Sequence, residues 1–142
     1  MIIDANNLIL GRMGTFVAKK ALMGEKIDIV NCENSVITGD FRGIVEHYKH
    51  RYARGTHAKG PFFFKMPDRF VKKAIRGMLP HKKERGRTAY SNIKCYIGIP
   101  DNLKNQKFDT IKNADVSNVP NLKYVKVIDL CKQFGTNLKL TK

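Results

Sequence analysis

The sequence contains little that would suit a membrane protein or a disulfide-bonded secreted protein. It has no tryptophan and only three cysteines among 142 residues. These are Cys32, Cys95 and Cys131, and their odd number and wide spacing predict free thiols in a reducing compartment. No segment approaches the roughly 18 apolar residues of a spanning helix, and the N-terminus lacks a basic segment followed by an apolar run. We therefore expect neither a membrane span nor a secretory signal.

Acidic residues are also scarce. The chain has 12 aspartates and glutamates against 27 lysines and arginines, which gives a formal charge of +15. Hydrophobic residues make up 42%, so residues 1–142 are predicted to form a single folded domain rather than a disordered basic tail. A compact domain this positive repels itself, and a polyanion relieves the repulsion. Nucleic acid is the first candidate. An anionic membrane surface is the second, but no lipidation signal supports it.

The excess positive charge is concentrated in the middle of the chain. Residues 42–94 carry 15 basic and 3 acidic residues, a net charge of +12. Residues 1–41 carry 4 and 5, a net of −1, and residues 95–142 carry 8 and 4, a net of +4. This asymmetry predicts one cationic face or set of loops, formed by the section from about residue 42 to residue 94, rather than a uniform coat.

The first third of the chain has the pattern of a β-α-β unit. Apolar strands are predicted at residues 1–4 and 27–30, around a helix that Gly24 ends. Four apolar residues of that helix recur at helical spacing: Leu10, Met13, Val17 and Ala21. Two strands joined by one helix predict parallel pairing and a right-handed crossover.

The basic section has the pattern helix, loop, helix. Asp40 is predicted to cap a first helix, and Asp68 a second. Glycines and prolines indicate an irregular segment over residues 55–68, and Pro80 precedes a basic turn or short helix over residues 81–88. The apolar face of the first helix is predicted to comprise Phe41, Ile44, Val45, Tyr48 and Tyr52. That of the second is predicted to comprise Phe70, Val71, Ala74, Ile75, Met78 and Leu79.

The last third returns to strand and helix. Residues 93–98 are rich in strand formers, and residues 101–122 are polar and predicted to be loop-like. A fourth strand is predicted at residues 124–127, followed by a short helix over residues 128–134 that Gly135 ends.

Motifs for cofactor, metal or covalent chemistry are weak. Gly11 and Gly14 follow the first strand, but neither dinucleotide-binding nor P-loop spacing is present, so a tight turn and close packing are the better explanation. The four histidines and three cysteines lack zinc-site spacing. A nucleophilic cysteine needs a nearby base, but Cys32 and Cys95 lie at or in predicted strands and Cys131 on an apolar helix face, so buried, inert thiols are the better interpretation. We therefore predict no cofactor, no metal, no small-molecule substrate and no enzymatic activity.

The basic motifs carry the functional signal. Residues 51–60 combine arginines, which contact phosphates in bidentate geometry, with glycines that let the backbone approach closely, and Tyr52 and His57 that are able to stack on unpaired bases. Residues 81–87 have a similar character. Of Phe62, Phe63 and Phe64, at least one ring is predicted to plug the core and another to face RNA or a neighbouring protein. The candidate RNA-binding residues are Arg12, Arg42, Lys49, Arg51, Arg54, His57, Lys59, Lys65, Arg69, Lys72, Lys73, Arg76, His81, Lys82, Lys83, Arg85 and Arg87.

Two runs resemble a known family. They are Gly60-Pro61-Phe62-Phe63-Phe64-Lys65-Met66-Pro67 and Ile75-Arg76-Gly77-Met78-Leu79-Pro80-His81-Lys82, the latter followed by Arg85-Gly86. Together they resemble the signature of the large-ribosomal-subunit protein L13 family, and the similarity extends over roughly residues 2–135. Residues 77–100 and the C-terminus depart from bacterial members, and Ile97-Gly98-Ile99-Pro100 is similar to archaeal and eukaryotic ones. Because the long C-terminal extension of eukaryotic members is also missing, the chain looks archaeal.

The resemblance implies a fold and a role. The fold is α/β: a three-layer α/β/α sandwich around a small, mostly parallel four-stranded sheet, with basic loop and helical extensions. The role is that of a structural, cytoplasmic constituent of the large ribosomal subunit, with ribosomal RNA and neighbouring ribosomal proteins as partners and a part in subunit assembly. Two alternatives stay open from the residues alone: an RNA-modifying or nucleotide-dependent α/β enzyme, and a DNA-binding architectural protein.

Overall fold

A computed structural model describes residues 1–56, 58–120 and 123–136. In this part of the chain, a three-stranded parallel sheet and a separate two-stranded antiparallel sheet pack with five α-helices. The elements in chain order are β1 (Ile2–Asp4), α1 (Leu10–Leu22), β2 (Ile27–Val30), β3 (Val36–Thr38), α2 (Phe41–Tyr52), α3 (Pro67–Met78), α4 (Glu84–Ser91), β4 (Ile93–Cys95), β5 (Tyr124–Lys126) and α5 (Val127–Gln133). The mixed α/β class is therefore confirmed.

The β1-α1-β2 unit forms as predicted, with parallel pairing of Ile2, Ile3 and Asp4 against residues 28–30. Helix α1 buries six residues along the predicted stripe: Leu10, Met13, Gly14, Val17, Ala18 and Ala21. Gly11 and Gly14 lie inside this helix rather than in a turn, so the turn prediction was wrong. The close-packing prediction is confirmed for Gly14, which lies against Met78 of α3, whereas Gly11 is exposed.

The main sheet has the strand order β1-β2-β4, and all of its pairings are parallel. The strand predicted at residues 124–127 forms as β5 (Tyr124–Lys126), but it does not join this sheet, so a four-stranded main sheet is not confirmed. Strand β5 pairs instead with β3, antiparallel, in a sheet of their own. Beside β1, Ile3 forms a single parallel bridge with Asp109, so the sheet has one further point of pairing at that edge. The strand predicted over residues 93–98 is regular only as far as Cys95.

The carboxyl ends of the parallel strands, where α/β proteins commonly bind ligands, are tied together by polar side chains. Asn31 donates from its side-chain amide to Asp4 Oδ1 at 2.9 Å. Glu33, only 4% exposed, accepts the backbone N–H of Gly98 with both carboxylate oxygens, at 3.1 and 3.2 Å. These bonds join β1, β2 and the segment after β4, so the polar side chains at the carboxyl ends of the strands hold the sheet together.

Helix α2 begins as predicted, because the Asp40 carboxylate accepts the Gly43 N–H at 3.4 Å. Its apolar face is narrower than predicted, since Phe41 and Tyr52 are 42% and 43% exposed and Val45 is its one buried residue. Helix α3 begins two residues earlier than predicted: Met66 occupies the N-cap and Pro67 the first helical position, where its missing N–H costs nothing. Asp68 is therefore not a cap. Val71, Ile75 and Leu79 of the predicted α3 stripe are buried.

The remaining elements follow the predictions closely. The basic segment after Pro80 leads into α4, and α5 ends at Gln133, two residues before Gly135. Residues 101–120 contain three short 3-10 turns but no α-helix or strand.

The core consists of two clusters. The larger one lies between the main sheet and α1, α3 and α4, and it includes Ile3, Met13, Ile29, Ile75 and Ile93, none of them exposed. The smaller one comprises Val45, Val125 and Leu130, and it joins α2 to β5 and α5. All three cysteines are free; Cys32 and Cys131 are buried, and Cys95 is half-buried. A hydrogen bond with the neighbouring Cys95 thiol, together with burial, raises the pKa of Cys32, and burial raises the pKa of Cys131 to about 12.

Candidate nucleic-acid interface

Helix α2 presents cations because only a narrow strip of it is buried. Val45 with half-buried Ile44 and Tyr48 packs on the smaller cluster. The other faces remain in solvent, and Arg42, Lys49 and Arg51 are all exposed there. Lys49 and Arg51 lie in the last turn, where the helix dipole favours positive charge. Arg54, also exposed, follows just after the helix.

The loop after α2 is a tight turn that holds cations at the surface. The backbones of Thr56 and Gly60 exchange two hydrogen bonds, at 2.9 and 3.2 Å, and the Lys59 N–H donates to Thr56 Oγ1 at 3.3 Å. Gly55 has φ +85°, and a Cβ there would collide with the Gly60 carbonyl, so no other residue fits the turn. Lys59 is thereby held at the tip, whereas His57, a predicted contact, lies outside the described residues.

Helix α3 carries a second row of cations opposite its buried stripe. Arg69 and Arg76 are exposed, and Lys72 and Lys73 are half-buried. The Lys72 ammonium lies 4.9 Å from the centroid of the Tyr90 ring. Arg69 and Lys72 also line a shallow surface depression with Lys94, a cation that was absent from the predicted set.

The segment into α4 supplies the third group of cations. Lys82, Lys83, Arg85 and Arg87 are exposed, and His81 is half-buried with its Nδ1 3.4 Å from the Leu79 carbonyl. The segment is held by a close backbone approach, because Gly86 is buried against the Pro80 carbonyl and has no room for a Cβ. Lys82 and Lys83 therefore project from a turn of defined shape, and Arg85 and Arg87 from the start of α4.

The structure brings some of the predicted residues together and leaves others apart. Arg51 and Lys73 share the ring of Phe63, Lys65 lies over the nearby Tyr52 ring, and Arg76 is close enough to influence Lys73. The other exposed cations of the predicted set have no contact with this group among the described residues. They are Arg42, Lys49, Arg54, Lys59, Arg69, Lys82, Lys83, Arg85 and Arg87. Arg12 is tied elsewhere, since its guanidinium donates to the Asn113 carbonyl at 3.3 Å.

An aromatic cavity of about 330 Å³ lies where these cations converge. Its walls include six rings, from Tyr48, Tyr52, Phe63, Phe64, Phe70 and Phe134. The Lys73 ammonium lies 4.3 Å from the Phe63 ring centroid and the Arg51 guanidinium 5.8 Å from it, both at cation–π distances. No ring of residues 62–64 is buried, so the prediction that one of them plugs the core was wrong.

The cations and rings of this cavity perturb one another. Desolvation lowers the pKa of Lys73, and the nearby positive charges of Arg51 and Arg76 lower it further. Desolvation raises the pKa of Tyr48, although Arg51 opposes the shift. The Lys73 ammonium also donates to the Phe62 carbonyl at 3.0 Å, which holds it beside the loop.

The cationic residues of the basic section have no acidic partners in the described part of the chain. The ion pairs found there are Lys20–Glu25, Lys104–Asp101 and Lys132–Asp129, and all lie outside residues 42–94. Cations without acidic partners on four adjoining segments (α2, the following loop, α3 and the segment into α4) suit a polyanion, because they are able to neutralise its phosphates.

Within residues 1–56, 58–120 and 123–136, no group of three or more metal-ligating side chains is found. In the same ranges, no helix is long and apolar enough to cross a membrane.

Sequence reasoning missed the aromatic cavity and Lys94. Three successive phenylalanines were a visible signal for the cavity, but Phe134 comes from the far end of the chain and Phe70 was assigned to the core stripe. No pattern in the sequence relates these rings to one another.

The fold and surface define a class: a small α/β protein whose cationic surface lacks acidic partners among the described residues, as is typical of proteins that bind nucleic acid. Comparison with known proteins identifies the family. The family model for ribosomal protein L13 matches residues 1–102, so the chain belongs to the ribosomal protein L13 family.

Archaeal relatives match over nearly the whole chain. It is 43% identical to the large ribosomal subunit protein uL13 of Methanosarcina barkeri, over 95% of this chain and 97% of the relative. It is 42% identical to that of Archaeoglobus fulgidus, over 94% of this chain and 86% of the relative. It is 39% identical to that of Haloarcula marismortui, over 96% and 92%. The predicted resemblance to an archaeal-type member is therefore confirmed.

Proposed function

We propose that this protein is a structural constituent of the large ribosomal subunit that binds ribosomal RNA through residues 42–94. Its relatives are named as large-subunit proteins, and the family is structural rather than enzymatic. The chain accordingly acts in the cytoplasm, within the particle, beside neighbouring ribosomal proteins and without a small-molecule substrate. The observation that carries the proposal is the set of cations on α2, the following loop, α3 and α4 that lack acidic partners in the described ranges.

The proposed contact residues are the cations of the basic section. They are Arg42, Lys49, Arg51, Arg54, Lys59, Lys65, Arg69, Lys72, Lys73, Arg76, Lys82, Lys83, Arg85 and Arg87, with His57, His81 and the more distant Arg12. Because these residues are mostly exposed and charged, they bind mainly through phosphates and the shape of the folded RNA, with little direct base recognition.

The test is equilibrium binding of the full chain to purified large-subunit ribosomal RNA over a range of salt concentrations. A variant with Arg51, Arg54, Lys82 and Arg85 changed to Gln loses up to four phosphate contacts. Since each contact contributes roughly 0.7 to 0.9 to the slope of log K against log salt, the slope falls in magnitude by about 3. Affinity in low salt falls with it.

The matched control changes four exposed lysines outside the section, Lys19, Lys26, Lys107 and Lys126, to Gln. It has the same net charge as the test variant, so a purely nonspecific charge effect would change both equally. We expect the control to retain most of the salt dependence. Equal losses in the two variants would contradict the mapping of the site, and stronger binding to duplex DNA than to ribosomal RNA would favour an architectural DNA-binding protein.

We also propose that residues 1–142 form one domain and that its layers are those of an α/β/α sandwich. The packing of α1 against α3 and α4, and the bridge from β1 to Asp109 at the opposite edge from β4, support this arrangement. A single cooperative unfolding transition, coincident by circular dichroism and tyrosine fluorescence, is the expected result.

A further inference from the structure

The aromatic cavity has walls from four segments, three of them consecutive and the fourth from far along the chain. Tyr48 and Tyr52 come from α2, Phe63 and Phe64 from the following loop, Phe70 from α3, and Phe134 from the end of α5. Phe134 stacks on Tyr52 with ring centroids 5.8 Å apart and planes 16° from parallel. The ring of Tyr48 leans on that of Phe70, with centroids 5.3 Å apart. Because the rings support one another, the walls are organised before a ligand arrives.

The loop that forms one wall is anchored to the opposite wall. Thr136, 7% exposed, donates its hydroxyl to the Lys65 carbonyl at 2.6 Å. Lys73 in α3 binds the Phe62 carbonyl on the other side of Phe63. The loop is therefore fixed at both ends of its aromatic run, which keeps the cavity open between them.

The charges around the cavity indicate what it accepts. Arg51 and Lys73 flank Phe63, Lys65 lies 5.9 Å from the Tyr52 ring, and none of these three cations is in an ion pair among the described residues. A partner that fills an aromatic space and also brings negative charge suits this combination. A single nucleotide does both, since its base stacks on aromatic rings and its phosphate meets the cations.

The geometry points to a subsite of the RNA interface: we propose that this cavity receives one unstacked base of ribosomal RNA, with its phosphate on Arg51 and Lys73. The inference rests on the proposed function, because it assigns the RNA a specific contact within the basic section. Cavities that bind small ligands range from about 300 to 1,000 Å³, so 330 Å³ is room for one base and not for several. A basic protein segment would add to the repulsion among these cations, whereas a nucleotide relieves it.

The experiment compares Phe63→Leu with Phe62→Leu in the full chain. Phe63 is a half-buried wall of the cavity, whereas Phe62 is 68% exposed and outside it, so the pair applies the same chemical change to neighbouring positions. Affinity for purified large-subunit ribosomal RNA is measured over a range of salt concentrations. Base accessibility in each complex is mapped by chemical modification of the RNA, nucleotide by nucleotide.

Phe63→Leu is expected to weaken RNA binding by roughly 5- to 150-fold, the range for one lost base–aromatic stack. The salt slope stays unchanged, because no phosphate contact is removed. One nucleotide protected by the unmodified protein becomes reactive, while the rest of the footprint persists. Phe62→Leu changes neither the affinity nor the footprint. Phe64→Leu, which alters a more exposed wall, is the second test should Phe63→Leu lower the thermal midpoint.

Two outcomes would overturn the inference while leaving the proposed function intact. One is an unchanged footprint and affinity for both Phe63→Leu and Phe64→Leu. The other is loss of a neighbouring protein from large subunits that carry Phe63→Leu, with the RNA footprint intact, since a protein segment would then occupy the cavity. Failure of the unmodified protein to bind the RNA at all would instead contradict the proposed function.

Discussion

Helices α1 and α2 are nearly equal in length and differ sharply in what they bury. Helix α1 has 13 residues, six of them buried against the main sheet and α3. Helix α2 has 12 residues and buries only Val45, on the smaller cluster. Both have apolar residues at helical spacing, so spacing alone does not separate them. The difference lies in the charged residues between the apolar ones, which in α2 leave most of the helix in solvent.

The difference between these helices reflects a difference between two sections of the chain, one that mainly forms the core and one that mainly presents cations. Residues 1–41, almost neutral, form two of the three strands of the main sheet and the helix that covers it. Residues 42–94, with a net charge of +12, place their helices around that unit and leave the cations outward. Stability and ligand binding should therefore respond to mutations in different places, which the following predictions test from the largest expected effect to the smallest.

The largest effect is expected at Gly86. This glycine belongs to the basic section, yet the fold depends on it, so the separation between stability and ligand binding does not hold there. Gly86→Ala would drive a Cβ into the Pro80 backbone carbonyl, which has little freedom to move. We expect a loss of about 3 kcal/mol in the free energy of unfolding, at the upper end for overpacking, measured by urea denaturation. The control is Gly43→Ala, in an open and exposed position of α2, which should stabilise by about 0.5 to 1 kcal/mol. Equal effects at the two glycines would refute the packing argument.

The same substitution, valine to alanine, compares directly how much α1 and α2 contribute to the free energy of unfolding. Val17 of α1 is fully buried in the main core, and Val45 of α2 is 6% exposed in the smaller cluster. Val17→Ala loses two buried methyl groups and leaves a cavity, which costs about 2 to 3 kcal/mol. Val45→Ala should cost about 1 kcal/mol, because its surroundings collapse more readily. Costs that are the same, or reversed, would show that α2 is as important to stability as α1.

The N-cap of α2 provides a smaller test. Asp40→Ala removes the side chain that accepts the Gly43 N–H, and at 3.4 Å this is a long hydrogen bond. We expect a loss of about 0.5 to 1 kcal/mol, the lower part of the range for N-cap replacements. Asp40→Asn keeps a capping oxygen and should restore most of the stability. If Asn behaves like Ala, the cap is not what Asp40 contributes.

The smallest effect concerns the thiol beneath the cavity. Burial raises the pKa of Cys131 to about 12, so at pH 8 about one molecule in 10⁴ carries its thiolate. Iodoacetamide should leave Cys131 unmodified in the native protein at pH 8 and modify it fully in urea, as peptide mass mapping would record. Each unit of increase in pH below 12 should raise the native rate about tenfold. Native labelling as fast as in urea would mean that the cavity floor is open.

The elements that depend on local pattern could be predicted from the sequence. Strands β1 and β2, helix α1 and the Asp40 cap appear where apolar spacing and capping chemistry placed them. The pairing of β3 with β5 could not be predicted, because these strands have three residues each and pair residues about 90 positions apart, such as Val36 and Lys126. For the same reason no pattern placed Phe134 beside Tyr52. The cationic contacts with RNA stay a prediction, since charge shows which residues are able to bind but not which of them do.

The hydrogen bond from Thr136 to the Lys65 carbonyl has a consequence for the order in which the molecule is made. Synthesis proceeds from the N-terminus, and Lys65 leaves the translating ribosome 71 residues before Thr136 does. Strands β1, β2 and β4 and helices α1, α3 and α4 are complete by Cys95, so they are free to pack before the last third adds Val127 and Cys131 to the same core. The loop that carries Phe63 is fastened only when α5 has emerged. A nascent chain therefore assembles most of its core first and completes the aromatic cavity, the proposed RNA subsite, last.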